Sequence, residues 1–132
     1  MKDDKFDENV YKEDANRYKK IFYSSAVAAN QALAFLMMMA FYEIGEDIQK
    51  KGIWVEEYMK RVSNEFPEHK IVMSKQNIRN MCKLSQLIDA EEIINLRLFE
   101  LGWSELIPLI QNSENHDEFI TNIGNERNKG EA

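Results

Sequence analysis

The chain is poor in the residues that punctuate or staple a fold: one Cys, two Pro and five Gly in 132 residues. A lone Cys82 excludes an intramolecular disulfide framework and suits a reducing compartment. Runs of β-branched residues with period-2 alternation are missing. The few glycines stand at plausible helix ends rather than in hairpin dipeptides, so the signals of a sheet are absent. No Gly/Ser linker and no internal repeat divides the chain. His69 and His116 are the only imidazoles, too few and too far apart for a two-His zinc motif on one helix. GxGxxG, P-loop and GxSxG patterns are missing as well. These residues specify no cofactor, no metal site and no catalytic set.

What is present is a composition 44% apolar and 30% charged, at the length of a single domain. That excludes disorder for most of the chain. The start, Met1 to Glu8, is acidic and lacks the apolar stretch of a secretory signal. The one membrane candidate, Ala26 to Tyr42, has 17 residues and is interrupted by Asn30 and Gln31. Its unbroken part, Ala32 to Tyr42, has 11 residues, whereas a span needs about 20. It reads as a buried helix, and the expectation is a cytoplasmic chain without membrane contact. The net charge of −6 is unevenly spread. Residues 1–50 carry 7 basic and 9 acidic side chains, residues 51–88 carry 7 and 4, and residues 89–132 carry 3 and 10. Only the middle third has a field that attracts a polyanion.

Helical patterns dominate. The expected fold is all-α: a long N-terminal helix packed with a bundle of about five shorter helices around a helix-turn-helix-like centre. Residues 1–10 are expected to be disordered, 11–124 to form one helical domain, and 125–132 to be a polar tail. The first helix spans about Tyr11 to Lys50. Its segment Leu33 to Phe41 is apolar on every face, which implies burial under other helices or in a homodimer. Leu33, Leu36, Met37, Met38 and Phe41 are the candidate interface residues. Met37, Met38 and Met39 read as adaptable packing rather than a metal box, since no His or Cys stands near them.

A second helix, Trp54 to Phe66, presents Trp54, Val55, Tyr58, Met59, Val62 and Phe66 on one face, and Pro67 stops it. Ser74 caps a third helix running to about Ile88. Asp89 and Glu92 form a capping-box pattern for a fourth helix that ends at Leu101-Gly102. Ser104 caps a fifth that tolerates Pro108 near its first turn, and Asn115 with Glu118 starts a sixth.

Three short patterns invite chemistry and have plainer readings. Glu114, His116, Asp117 and Glu118 read as a solvated helix start or a weak cation site. Cys82, on an inward face without a His–Asn partnership, reads as a structural thiol rather than a nucleophile. Glu68-His69-Lys70 has the E-x-K spacing of metal-dependent nucleases but follows a Pro-terminated helix where no strand supplies the second carboxylate.

The third helix carries the strongest functional pattern. Lys75, Gln76, Arg79, Asn80, Lys83 and Gln86 share one face with no acidic residue. Arg and Lys bond guanine edges or phosphates, and Asn and Gln bond adenine. A face of this kind on the second helix of a pair is the outline of a helix-turn-helix entering a major groove, or an ordinary solvated face.

The order of sequence blocks adds to this. Phe41-Tyr42-Glu43-Ile44-Gly45, Glu65-Phe66-Pro67, Ser74 to Met81 with Asn77-Ile78, and Leu101-Gly102-Trp103-Ser104 with Leu109-Ile110 follow one another over roughly residues 26–120. In that order they resemble the N-terminal domain of the YhcG family. The resemblance implies a helical, DNA-associated module that usually precedes a PD-(D/E)xK nuclease domain, and makes this chain the non-catalytic half. Two functional expectations follow. One is a domain that binds duplex DNA through Lys75, Gln76, Arg79, Asn80 and Lys83, or positions a nuclease partner. The other is an acidic protein-interaction or homodimerisation module, an adaptor or inhibitor without DNA binding.

Overall fold

A computed structural model describes residues 7–129. Among them lie six α-helices: α1 (Glu8–Gln49), α2 (Val55–Asn64), α3 (Lys75–Leu87), α4 (Ala90–Asn95), α5 (Trp103–Gln111) and α6 (His116–Asn128). Short 3-10 turns cover Gly52–Trp54 and Leu98–Glu100, and the described residues contain no strand. The class is all-α, with a long first helix and shorter ones after it. The boundaries differ from expectation at both ends. Glu8 to Val10 are already helical, and Asn125 to Asn128 continue α6. Residues 1–6 of the expected disordered start and 130–132 of the expected tail lie outside the described residues.

Where one domain was expected, the chain divides into two compact units, one ending at Leu33 and one beginning at Ala34. The first is the N-terminal part of α1. It opens with the Asp7 carboxylate accepting from the Asn9 backbone N–H at 2.8 Å, which satisfies a donor that the helix start leaves without an intrahelical partner. None of its described residues is buried, and Tyr18, Ile21, Phe22 and Val27 are all exposed. By length and composition α1 qualifies as a candidate membrane span, and its apolar window is only 11% buried. The all-round burial expected for Leu33–Phe41 is therefore not what the fold provides.

The second unit is built around α3, whose Ile78, Met81 and Leu84 are fully buried. These residues are shared between two apolar clusters. One joins Met38 and Tyr42 of α1 to Leu84, Leu87, Ile93, Leu106, Ile110, Phe119 and Ile123. The other joins Phe41 and Ile48 to Met59, Met73, Ile78, Met81 and Cys82, and is rich in sulfur. Burial at this scale is the main favourable term in folding.

The helix starts follow local chemistry. The Ser74 hydroxyl accepts from Asn77 N–H, Asp89 and Glu92 form a complete capping box, and Asn115 accepts from Glu118 N–H. Three details depart from expectation. The fourth helix stops at Asn95 because Arg97 turns left-handed (φ 52°) before the 3-10 turn. Arg127 of α6 donates to the Leu96 and Arg97 carbonyls there, placing a cation at a helix C-terminus, where the dipole favours it. The α5 cap is Gly102 rather than Ser104, and Pro108 lies well inside the helix.

Candidate functional site

The polar face of α3 divides in two. Lys75, Gln76 and Gln86 are exposed, and Arg79 and Lys83 half-exposed, along one strip. Asn80 does not belong to it. At 4% exposure it is buried, and its Oδ1 accepts from Gln111 Nε2 at 3.4 Å. Its expected place facing a duplex is therefore corrected: α5, distant in sequence, covers that edge of the helix.

The cations of the strip are also engaged. Lys75 Nζ and Arg79 Nη2 lie 3.0 and 3.2 Å from Glu56 Oε2 of α2. The Lys75 hydrogen bond, with help from Arg79, holds the Glu56 carboxyl below its ordinary range. Lys83 Nζ donates to the Gln111 carbonyl at 3.2 Å. The first two pairs are solvent-exposed, so salt and competing anions weaken them.

The candidate interface residues of α1 divide as well. Leu33, Leu36 and Met37 are exposed, whereas Met38 and Phe41 are buried at 2% and 6%. These two are thus corrected from interface to core: Met38 packs in the cluster with α5 and α6, and Phe41 in the sulfur-rich one.

A feature that sequence reasoning missed lies between these surfaces. A cleft of about 610 Å³ runs beside α3, with Met37, Phe41, Val72, Trp103 and Ile107 forming its apolar lining. Ile71, 89% exposed, stands at its rim. Asn77 holds the back wall together. Its Nδ2 donates to the Val72 carbonyl at 2.6 Å and its Oδ1 accepts from Trp103 Nε1 at 2.7 Å. The Phe41 and Trp103 rings pack with centroids 4.7 Å apart.

Gln76, Asn80 and Gln111 supply amides to the same cleft. Asn80 Nδ2 makes no hydrogen bond within the described residues, and no buried side-chain nitrogen or oxygen there lacks a partner. Asn80, although 4% exposed, borders the cleft at this edge. An apolar lining with a few fixed polar groups is the usual make-up of a ligand pocket. The ingredients were present in the sequence as Trp103, Ile107 and Ile71, but no periodicity joins a loop to three helices.

The remaining candidates have structural roles. Burial pushes the Cys82 thiol up to about 11, which leaves it protonated and unreactive at neutral pH. His116 Nε2 lies 2.5 Å from Glu92 Oε2 and Nδ1 lies 3.4 Å from Asp117, and the Glu92 contact, more than Asp117, raises the imidazole pKa. Among the described residues no group of three His, Cys, Asp or Glu side chains is placed to hold a metal. Glu68, His69 and Lys70 are exposed in the link between α2 and α3.

No protein-family model, no curated protein and no solved structure matches this chain.

Proposed function

We propose that this chain is a non-catalytic protein-interaction module whose working surface is the cleft beside α3. The observation that carries the reading is an apolar cleft of about 610 Å³ edged by the amides of Gln76, Asn80 and Gln111. Its occupant is a segment of a partner protein. One or two bulky apolar side chains fill the space between Met37, Trp103 and Ile107, and a backbone carbonyl accepts from one of the amides at the cleft's edge. Anchors of this kind carry most of the energy in small interfaces. The strip on α3 favours this reading over a polyanion surface, because Glu56 engages Lys75 and Arg79.

The strip nevertheless supports a second reading. Lys75, Gln76, Arg79, Lys83 and Gln86 lie on one acid-free side of α3, and the order of blocks resembles the YhcG N-terminal domain. On that reading phosphates replace Glu56, and the module docks on duplex DNA, alone or beside a nuclease domain.

One set of measurements separates the two. Displayed random peptides selected on the immobilised protein should be enriched in bulky apolar residues and bind with micromolar Kd. Ile107→Asp should weaken them at least 10-fold with the helical circular dichroism unchanged. Peptides that bind the wild type and this variant equally would overturn the cleft reading. Anisotropy with a 20-base-pair duplex forms the other arm. Salt-steep binding that strengthens in Glu56→Gln and disappears in the Lys75→Glu, Arg79→Glu, Lys83→Glu triple variant would establish DNA docking instead.

A further inference from the structure

The first unit presents a regular side-chain pattern that the cleft does not use. Ala15, Tyr18, Phe22, Ser25, Ala29 and Ala32 recur at alternating steps of three and four, and none is charged. On a helix that spacing makes one continuous seam. Tyr18 and Phe22 are 57% and 67% exposed. A lone helix gains little stability from its own hydrogen bonds in water, and none of the described residues up to Leu33 is buried. The seam has the form of a surface that is covered by another helix.

We infer that its occupant is the same segment of a second copy, running antiparallel. The sizes along the seam determine the direction. In the antiparallel register Ala15 faces the partner's Ala32, Tyr18 faces the partner's Ala29, and Phe22 faces the partner's Ser25. Each ring thus meets a small side chain, which is how facing positions interdigitate without voids. A parallel register would stack Tyr18 and Phe22 each on its own copy. Charge agrees with size. Lys12, Asp14, Arg17, Lys19 and Lys20 all precede Ile21, and no charged residue lies between Ile21 and Leu33. Antiparallel pairing sets each charged half against an uncharged one, so no like charges meet across the seam. The contact is isologous and closes as a two-fold dimer.

A lipid bilayer fits the same surface less well. The uncharged run extends to Tyr42, but Met38, Phe41 and Tyr42 are buried in the second unit's core. The accessible uncharged stretch, residues 21–37, is thus about 25 Å long at about 1.5 Å per residue, short of the roughly 30 Å of hydrocarbon.

The test combines mass, linkage and lipid. Light scattering of the full chain should show a dimer that dissociates on dilution. Phe22→Glu, at an exposed site outside the second unit, should raise the dissociation constant at least 100-fold and leave the helical signal of the second unit intact. Under mild oxidation the Ala15→Cys, Ala32→Cys double variant should form a covalent dimer and Ala15→Cys alone should not. A monomer at 100 µM, a dimer indifferent to Phe22→Glu, or efficient linkage through Ala15→Cys alone each overturns the proposal. So does a chain that is monomeric in buffer yet sediments with phosphatidylcholine–phosphatidylglycerol vesicles.

Discussion

Gly45 shows how much one hydrogen atom can decide. A Cβ at this position would lie 2.1 Å from the Met81 carbonyl oxygen and 2.8 Å from the Cys82 nitrogen. The backbones of α1 and α3 therefore touch directly. A glycine inside a helix ordinarily costs about 1 kcal/mol relative to alanine, and here the close approach offsets that cost. Gly45→Ala forces the helices apart and should lower the unfolding free energy by about 3 kcal/mol, at the upper end of overpacking effects. Urea denaturation measures it, and a loss below about 1 kcal/mol would mean that the contact relaxes easily. At this scale the sequence was legible where chemistry is local. Cys82 reads as buried from its helical phase alone. Asn80 does not, because its neighbour Gln111 comes from a helix more than twenty residues away.

Between elements, Asn77 joins three segments: its side chain reaches the link at Val72 and α5 at Trp103, and its backbone N–H meets Ser74. Asn77→Ala leaves the indole N–H and the Val72 carbonyl without partners. It should cost about 2–3 kcal/mol and shift Trp103 emission to the red as water enters. Unchanged stability and emission would show that solvent replaces the amide without penalty. The starts of α3, α4 and α6 were readable because a cap and its donor lie three residues apart. The break after Asn95 was not, since Arg97 adopts a left-handed turn with Arg127 of α6 on the neighbouring carbonyls. Helix phase likewise marked Met38 and Phe41 as apolar without saying which protein chain would cover them.

For the molecule as a whole, pH reports the tie between α4 and α6. The His116 pKa is raised above 6.5, chiefly by the hydrogen bond with Glu92. The folded state therefore holds this proton more tightly than the unfolded one. The contribution is complete below the unfolded pKa and is lost as pH rises through the folded value. Stability should decline as pH rises above about 6.5, and His116→Gln should flatten that slope, as thermal melts across a pH series would show. A slope identical in wild type and variant would place the titration elsewhere. Composition and helical periodicity sufficed for the all-α class, but the division after Leu33 had no marker, because α1 runs through it without a break. The two apolar clusters also differ in kind: one is mostly branched aliphatic, while the other gathers Met59, Met73, Met81 and Cys82. Unbranched thioethers adapt their shape to a changed neighbour where leucine and isoleucine resist it. Mutational drift around α2 is thus absorbed locally, and the chain has one pliant flank on which new surfaces can arise without disturbing the rest.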